Sequence, residues 1–535
     1  MSQTPSQTGA QTPAETGAQT GARARPTRRA DGGIALIDER GARTWTEVEQ
    51  TLHRAANAFL DLGECGELGP DRRVTVFAEN SAETALAHLG ALLGGASTVP
   101  ASFHLTVDEL AYVLEDSGST AVLTGPETAE IAVAAARRAG IDRVLAWRTE
   151  ATTGAESWED FLAGAPASAP PDDLAPRPHL LYTSGTTGRP KGTELPPTMF
   201  AGGSTMREHL ARLAENPFAA FGTHLVVGPM YHTGPLTGMR LLVAGIPIVI
   251  LGRFDPEATL GAIEHYGVES SVMVPTHFAR MLALPDDTRA RYDVSSLGLV
   301  VHTGSACPVD VKRRMIEWWG PVLFEAYGAT EVGTTCMITS QEWLAHPGSV
   351  GRAIPPFEVR VLDDEGDACA PNVEGRLCFL DTTGRGVVYH NDPGKSADAH
   401  VEPGVFTLGE IGFIDEDGYV FITDRTSDMV VSGGVNLYPA EVEAVLIEHP
   451  EVADVAVIGI PDPDMGEALR ALVVPVDAAR PPSDDELIAF CRDRIAHHKC
   501  PRSVELVATL DRSAMGKVNK RALRAPYWPT ERTIG

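Results

Sequence analysis

The sequence predicts an α/β protein with a large N-terminal domain and a small, mobile α+β C-terminal domain. The large domain is expected to combine parallel sheets and covering helices with a small antiparallel subdomain. Short apolar runs alternate with helical patterns from about residue 34, short strands with Asp-Gly and Glu-Gly turns follow Gly348, and the pattern changes again after Asp424. A chain of 535 residues is also too long for a single hydrophobic core.

Three segments are expected along the chain. Residues 1–30 consist largely of Ser, Thr, Gln, Gly, Ala and Pro. Such a composition cannot bury enough apolar surface to offset the entropy of ordering, so these residues are predicted to form a disordered tail. Residues 31–424 then form the large domain and residues 425–535 the small one.

The first part of the large domain alternates strand-like and helix-like stretches. The strand-like runs are Val74–Ala78, Ala121–Thr124, Val144–Trp147, Leu225–Val227, Ile246–Leu251, Ser271–Val274 and Leu297–His302. The helix-like stretches include Ser81–Leu93, Asp108–Glu115 and Glu127–Ala139. This alternation favours parallel sheets whose crossover helices cover both faces.

The later elements differ in kind. An antiparallel subdomain is predicted from the short strands Val359–Gly366, Glu374–Leu380 and Asp415–Thr423. The small domain is predicted from Tyr438–His449, Val452–Ile460, Ala468–Val476 and Asp484–His497. We expect a hinge near Arg425, where the two domains join.

Charge and cysteine usage limit the possible partners and compartment. Lysine and arginine number 44 against 72 acidic residues, a net charge of −28 that repels nucleic acid and anionic membrane surfaces. The seven cysteines are scattered without a C-x-x-C pair, which indicates reduced thiols in a cytoplasmic protein. No apolar run is long enough for a membrane span, and the N-terminus lacks the apolar core of a signal peptide.

A loop built to hold phosphate covers residues 182–192. Glycines let backbone N–H groups approach an anion, hydroxyls donate further hydrogen bonds, and a lysine adds a point charge. The candidate nucleotide-binding residues are Thr183, Ser184, Gly185, Thr186, Thr187, Gly188 and Lys191. Arg189 and Pro190 precede the lysine, so the loop is not a P-loop. We expect it at the carboxyl end of a strand of a parallel sheet.

The loop resembles the signature of the adenylate-forming superfamily, which contains acyl- and aryl-CoA ligases, adenylation domains of peptide synthetases and luciferases. Further motifs of that superfamily follow in its order over residues 34–525. The resemblance implies binding of ATP and Mg²⁺, and CoA as a further substrate of the ligases.

A second nucleotide motif occupies residues 324–331. By the resemblance, Tyr327 and Gly328 lie at the adenine with the tyrosine stacked on it, Thr330 contacts the α-phosphate, and Glu331 holds magnesium. Just before this motif, a loop of small residues allows a flat ring to approach the backbone, and the superfamily's adenine-side loop lies here. Its candidate residues are Gly304, Ser305 and Ala306.

Two further motifs border the acyl group and the ribose. Pro229–Pro235 resembles the segment beside the acyl pocket of CoA ligases, which makes His232 a candidate for orienting the carboxylate or gating the thiol. A ribose diol suits a carboxylate with an arginine nearby, here Glu410 and Arg425. The superfamily usually has Asp at the position of Glu410, and Asp or Lys at the interdomain pivot, where this chain has Ser427.

The small domain supplies the last two motifs. Residues 432–436 resemble the loop that faces the pantetheine channel after the domain has rotated. Residues 511–517 resemble the closing motif whose lysine reaches the active site for the first half-reaction. A lysine at that position, Lys517, would bridge the entering carboxylate and the α-phosphate as pyrophosphate leaves.

The resemblance implies an AMP-forming acid–CoA ligase whose substrate is a small-molecule carboxylic acid. The Met, Tyr, His and Phe residues around the expected pocket favour an aromatic acid or an apolar acid of medium size over acetate. The proposed catalytic residues are Lys517, Lys191, His232 and Glu331. Three alternatives stay open: loading of a carrier protein, activation of nitrite for transfer to an aromatic amine by a diazotase of the same fold, and a catalytically silent nucleotide-binding homologue.

Overall fold

The computed structural model describes residues 33–149, 154–183, 190–196, 199–304, 307, 309–363, 365–425, 430–437, 439–510, 518 and 520–528. The predicted tail, residues 1–30, lies outside the described residues. No helix within the described ranges has the length and apolar character needed to cross a membrane.

Strands and helices alternate through the first half of the chain. Up to the phosphate loop they are β1 (Ile34–Asp38), β2 (Gly41–Thr44), α1 (Trp45–Glu64), β3 (Arg73–Phe77), α2 (Ala82–Leu93), β4 (Ser97–Ala101), α3 (Val107–Ser117), β5 (Ala121–Thr124), α4 (Ala129–Arg138), β6 (Arg143–Ala146), β7 (Glu156–Ser157), α5 (Trp158–Ala163) and β8 (Leu180–Thr183). After it come β9 (Lys191–Glu194), α6 (Met206–Ala214), β10 (His224–Val226), α7 (Thr233–Met239), β11 (Ile248–Ile250), α8 (Pro256–Tyr266), β12 (Ser270–Met273), α9 (Pro275–Leu282), α10 (Asp286–Arg289), β13 (Leu299–His302), α11 (Val309–Trp319) and β14 (Leu323–Ala329).

Strands dominate the second half. They continue with β15 (Gly333–Thr339), α12 (Ser340–Ala345), β16 (Ser349–Ala353), β17 (Phe357–Leu362), β18 (Gly375–Asp381), α13 (Pro393–Asp398), β19 (His400–Glu402), β20 (Val405–Phe406), β21 (Glu410–Ile414) and β22 (Val420–Arg425). The last elements are β23 (Val430–Ser432), β24 (Val435–Leu437), α14 (Pro439–Leu446), β25 (Val452–Asp462), β26 (Gly466–Pro475), α15 (Asp484–Arg492), β27 (Ser503–Leu506) and α16 (Lys520–Arg524). Short 3₁₀ helices are Pro217–Ala220, Arg240–Ala244, His497–Lys499 and Ala525–Tyr527.

Two sheets enclose the buried helix α2. One is fully parallel, in the order β4-β3-β5-β6-β7. Every residue of α2 is buried: Leu86 packs in the core of the large sheet, while Ala87 and Ala91 pack in the core of the parallel sheet. A Cβ added at Gly90 would lie 2.3 Å from the Cβ of Ala55 in α1. The glycine therefore allows α1 and α2 to approach more closely than any larger residue would permit. This packing confirms the predicted crossover helices.

The large sheet is parallel at one side and antiparallel at the other. Strands β1, β11, β10, β12, β13 and β14 pair in parallel, and the pairing becomes antiparallel from β14–β15 onward through β22. The carboxyl ends of β12, β13 and β14 therefore meet at one edge. There a Cβ added at Gly304 would lie 3.6 Å from the Val274 side chain. The predicted α/β class, including the antiparallel subdomain, is confirmed.

The phosphate loop does not join the parallel sheets as expected. Strands β8 and β9, which flank it, form a separate antiparallel pair in which Thr183 lies opposite Lys191. The hairpin is tied to the antiparallel subdomain, because the backbone N–H of His390 donates to the Gly192 carbonyl at 2.8 Å. The expectation that the loop follows a strand of a parallel sheet was wrong, because a short apolar run does not specify the strand with which it pairs.

The chain changes sheets between residues 425 and 430. Strand β22 belongs to the large sheet, whereas β23 pairs with β24 and β26 in a second sheet that also holds β25 and β27. This small sheet has its own apolar core, to which Val430, Val457, Leu469 and Leu487 contribute.

Candidate active site

The ends of the phosphate loop meet the second nucleotide motif. Glu331 lies in the turn between β14 and β15, and the hydroxyl of Tyr389 donates to its Oε1 at 3.4 Å. The Nζ of Lys191 lies 5.5 Å from the centre of the Tyr389 ring. Thr183 also hydrogen-bonds to the Glu331 side chain. The structure thus brings Glu331 next to Thr183 and Lys191, which precede it by about 140 residues in the sequence.

Burial shifts the pKa values of Glu331 and Lys191. Burial raises the pKa of Glu331, while Tyr389, Lys191 and Thr183 partly offset that rise. Burial and the neighbouring ammonium of Lys395 lower the pKa of Lys191. A carboxylate and an ammonium held side by side, both only partly hydrated, suit an anionic ligand that arrives with a cation.

A cavity of about 260 Å³ opens beside Lys191, and Tyr389, Asp392 and Lys395 are among its lining residues. Lys395 lies 3.1 Å from Asp392, within one turn of α13. Sequence reasoning missed Tyr389 and Lys395. The one available signal was the polar run Tyr389–Asp392 before the proline that starts α13, a pattern common enough in loops to carry little weight.

Tyr327 and Glu410 form the next part of the site. The hydroxyl of Tyr327 donates to Oε2 of the buried Glu410 at 2.8 Å. Glu410 pairs with Arg425 across strands β21 and β22, so the two predicted ribose residues are neighbours in the sheet. At Gly328 a Cβ would lie 1.9 Å from the Gly333 carbonyl oxygen, so only glycine fits beside Tyr327.

We predict that Glu410→Ala raises the apparent KM for ATP by about 10- to 100-fold, because a hydrogen bond to a charged group is worth about 1.5–3 kcal/mol. The measurement is the ATP dependence of AMP release. Tyr327→Phe is the matched control, since it removes the 2.8 Å hydrogen bond but keeps the carboxylate. Equal effects of the two variants would mean that Glu410 acts only by positioning Tyr327.

The small sheet reaches this edge of the large one. A Cβ at Gly434 would lie 3.2 Å from Val274, and the Gly434 carbonyl lies 3.8 Å from the Cβ position of Gly304. Gly434 has a φ of +81°, which favours glycine. The 432–436 loop of the small domain therefore lies directly against the predicted adenine-side loop.

His232 sits in an aromatic cluster at the start of α7. Its ring is 4.4 Å from that of Tyr231, and Tyr231 makes an edge contact with Phe103 at 5.4 Å. Burial and the nearby His104 lower the pKa of His232 to about 4, so its imidazole is neutral at pH 7. A neutral imidazole can donate one hydrogen bond and accept another, as orienting a carboxylate or a thiol requires.

Two other histidines near this edge are engaged elsewhere. His277 stacks on Phe254 at 4.1 Å. The Nε2 atom of the fully buried His302 lies 3.7 Å from Oε2 of Glu325, beyond hydrogen-bond distance. That oxygen accepts a hydrogen bond from Nζ of Lys312 at 2.5 Å. His302 thus contacts a buried ion pair beneath the sheet, which no sequence pattern indicated.

Several candidates lie outside the described residues. These are Ser184, Gly185, Thr186, Thr187, Gly188, Ser305, Ala306 and Lys517, together with the side chain of Arg425. Thr330 lies in the same turn as Glu331.

Comparison with known proteins identifies the family. Residues 23–385 match the AMP-binding enzyme family, and residues 441–517 match the AMP-binding enzyme C-terminal domain. A feruloyl-CoA synthase from Amycolatopsis sp. is 33% identical over 93% of this chain and 95% of its own length. A 3-[(3aS,4S,7aS)-7a-methyl-1,5-dioxo-octahydro-1H-inden-4-yl]propanoyl:CoA ligase from Rhodococcus jostii is 32% identical over 93% of this chain and 95% of its own length.

A solved structure is similar over nearly the whole chain. The amide bond synthetase McbA from Marinactinospora thermotolerans superimposes with a TM-score of 0.79 at 28% identity, covering 93% of this chain and 98% of its own. The family matches include both the phosphate-loop half and the small C-terminal part. The chain therefore belongs to the AMP-binding enzyme family, and it is an adenylate-forming enzyme of the AMP-forming acid–CoA ligase type, as its motifs predict.

Proposed function

We propose that this enzyme converts a medium-sized aromatic or apolar carboxylic acid into its CoA thioester through an acyl-adenylate. The observation that carries the proposal is the meeting of Thr183, Lys191 and Glu331 beside the Tyr389 hydroxyl. This group provides hydroxyl, ammonium and carboxylate at one point, which suits the phosphates of a nucleotide and their counter-cation.

In the first half-reaction, the substrate carboxylate attacks the α-phosphorus of ATP. A new carboxylate O–P bond forms, and the bond from that phosphorus to the pyrophosphate oxygen breaks. We assign Tyr327, Gly328 and Gly304 to the adenine, Glu410 and Arg425 to the ribose, and Thr183, Lys191 and Thr330 to the phosphates. Lys191 and Lys517 offset the charge that develops on the departing pyrophosphate.

Glu331 fits the requirements of a magnesium ligand. Mg²⁺ on a nucleotide commonly takes one or two protein carboxylates and completes its coordination with phosphate oxygens and water. Glu331 is a partly buried carboxylate next to Lys191, and burial alone disfavours its charged form. When bound, the ion would neutralise phosphate charge. The protein's own contribution is to hold the Glu331 carboxylate in place through the Tyr389 and Thr183 hydroxyls.

In the second half-reaction, CoA sulfur attacks the acyl carbon. The bond from that carbon to the phosphate oxygen breaks, AMP leaves, and the thiol proton passes to solvent. We assign residues 425–535 to a small domain that turns near Ser427 between the two steps. The contact of Gly434 with Val274 supports the use of the present orientation in acyl transfer.

The aromatic cluster supports the choice of acid. We assign Phe103, Tyr231 and His232 to the wall of the acyl pocket, where their rings pack on one another with centres 5.4 and 4.4 Å apart. An aromatic wall favours a flat, apolar acid over acetate. The name of the feruloyl-CoA synthase relative is consistent with an aromatic acid.

The test is AMP release from Mg·ATP by the purified protein, with products identified by mass. One arm supplies aryl and fatty acids with CoA, a second supplies the acids with simple amines or an acyl carrier protein, and a third supplies nitrite with aromatic amines. We expect acid- and CoA-dependent AMP together with a thioester. An amide, an acylated carrier protein or a diazonium product without a thioester would contradict the proposed acceptor. Nucleotide binding without AMP from any arm would indicate a silent homologue.

We predict that Lys517→Ala lowers adenylate formation by at least about 100-fold while ATP binding is retained, because this lysine acts in the developing transition state. Acyl transfer from a supplied acyl-adenylate to CoA should remain close to wild type. The two half-reactions are measured separately, by pyrophosphate exchange and by thioester release. An unchanged exchange rate would remove Lys517 from the mechanism.

A further inference from the structure

Within the described residues, two ion pairs join the small domain to the large one. On one side, the guanidinium of Arg280 in α9 makes a bidentate contact with Asp464, with Nε and Nη2 at 3.1 and 2.9 Å from the two carboxylate oxygens. On the other side, Nζ of Lys499 lies 3.1 Å from Glu109 in α3 and 2.7 Å from Glu441 in α14. Lys499 thus contacts one carboxylate from each domain.

The Lys499 pair is buried. The exposed fractions of the three side chains are 7% for Lys499, 10% for Glu109 and 4% for Glu441. Burial alone would lower the pKa of Lys499, and the two carboxylates together raise it above its ordinary value. The buried ammonium of Lys499 is stabilised by the carboxylates of Glu109 and Glu441 together, so loss of either carboxylate would leave a buried charge only partly compensated and would destabilise this contact.

The large domain fixes its half of the pair in advance. The Oε2 of Glu109 accepts from the backbone N–H and the hydroxyl of Thr106, at 2.9 and 3.0 Å, as part of the N-terminal cap of α3. The other oxygen, Oε1, accepts from Lys499. Because the helix cap fixes the conformation of the Glu109 carboxylate, little side-chain entropy is lost when Lys499 pairs with it as the small domain closes.

The two pairs flank the catalytic edge. Arg280 belongs to the helix that starts one residue after Val274, the residue in contact with Gly434. On the other side, His498, next to Lys499, places its ring 5.1 Å from that of His104 near the His232 cluster. The pairs therefore lie on either side of the contact between the 432–436 loop and the large domain.

We infer that Glu109–Lys499 and Arg280–Asp464 are positioning pairs that hold the small domain closed for acyl transfer and set the rate of that half-reaction. The inference rests on the proposed two-step function. Adenylate formation requires the small domain to turn so that Lys517 approaches, and neither pair can persist in both orientations. Weakening the pairs should therefore slow transfer and leave adenylate formation unchanged or faster.

Removing the buried Glu109–Lys499 pair should slow acyl transfer more than removing the partly exposed Arg280–Asp464 pair. Glu109→Gln removes the charge from a buried pair, for which a loss of about 30-fold or more in the transfer rate is expected. Arg280 and Asp464 are partly exposed, at 34% and 59%. Exposed pairs are weak, so Arg280→Ala should cost only about 2- to 5-fold. Asp108→Asn is the matched control, because Asp108 neighbours Glu109 on α3 but pairs with Arg138 inside the large domain.

The experiment measures both half-reactions of the full-length enzyme. Pyrophosphate exchange with acid and ATP reports adenylate formation, and single-turnover thioester release from preformed adenylate reports transfer. We expect Glu109→Gln to lower the rate of acyl transfer and to leave the rate of adenylate formation unchanged. Arg280→Asp and Asp464→Arg should each lower the transfer rate, and the double variant that carries both substitutions should recover it. A parallel fall of both rates in Glu109→Gln, or no recovery in the double variant, would overturn the inference. Absence of exchange in the wild type would instead contradict the proposed function.

Discussion

Glu331→Gln should reduce adenylate formation by at least about 100-fold, the loss typical of removing one electrostatic partner of a transition state. The substitution keeps the shape of the side chain and its contact with the Tyr389 hydroxyl but removes the charge beside Lys191. If Glu331 holds the metal, the variant should also require a higher Mg²⁺ concentration for half-maximal rate. Both quantities come from pyrophosphate exchange titrated with Mg²⁺.

The control for this prediction is Glu358→Gln, an exposed glutamate on β17 of the same domain. It changes the net charge equally without touching the site. ATP binding measured at saturating Mg²⁺ separates a failure to bind nucleotide from a failure to react. A Glu331→Gln enzyme with normal exchange and normal Mg²⁺ dependence would show that the metal is held by other groups.

The sequence indicates candidate site residues but not the contacts between them. Tyr327 and Glu410 were each assigned to the nucleotide, but their hydrogen bond depends on pairing between distant strands. Tyr389 was missed because an aromatic residue in a polar loop has no distinctive spacing. Its role beside Glu331 follows only from the docking of the β8–β9 hairpin onto the antiparallel subdomain.

The fold shows the same division between local and long-range information. Predicted strand runs such as Ala121–Thr124 coincide with observed strands, since a short apolar run is a local property of the sequence. The docking of the β8–β9 hairpin onto the antiparallel subdomain joins Gly192 to His390, and the buried Lys499 pairs with Glu109, 390 residues away along the chain. Composition predicts Lys499 to be a solvated surface lysine, and only tertiary packing buries it.

The second large effect we expect is loss of stability in mild acid, because several histidines are buried with no carboxylate partner in the described part of the chain. Burial lowers the pKa of His88, His224 and His277 from 6.5 to about 3. His88 and His224 are 1% exposed, and their Nδ1 atoms hydrogen-bond to the hydroxyls of Thr98 and Ser270. Neither hydroxyl compensates a buried positive charge as a carboxylate would.

The direction of the pH effect follows from proton binding. In the unfolded chain these imidazoles take up a proton below pH 6.5, whereas in the folded protein they stay neutral down to about pH 3. Stability is therefore fully present above pH 6.5 and falls as the pH drops toward 3. At pH 5 the cost is about 2 kcal/mol for each histidine, or about 6 kcal/mol for all three. That is a large share of the roughly 5–15 kcal/mol that stabilises a typical domain.

His277→Phe isolates one of these contributions. His277 stacks on Phe254 with its ring nearly parallel, at 13°, so phenylalanine can keep the contact while removing the titrating group. The free energy of unfolding from urea titrations at pH 7 and pH 5 should differ by about 2 kcal/mol less in the variant than in the wild type. His265→Phe, at an exposed position of α8, is the matched control for the loss of one histidine. If His277→Phe keeps the full wild-type difference, His277 is protonated in the folded protein as readily as in the unfolded chain, and its burial does not contribute to acid sensitivity.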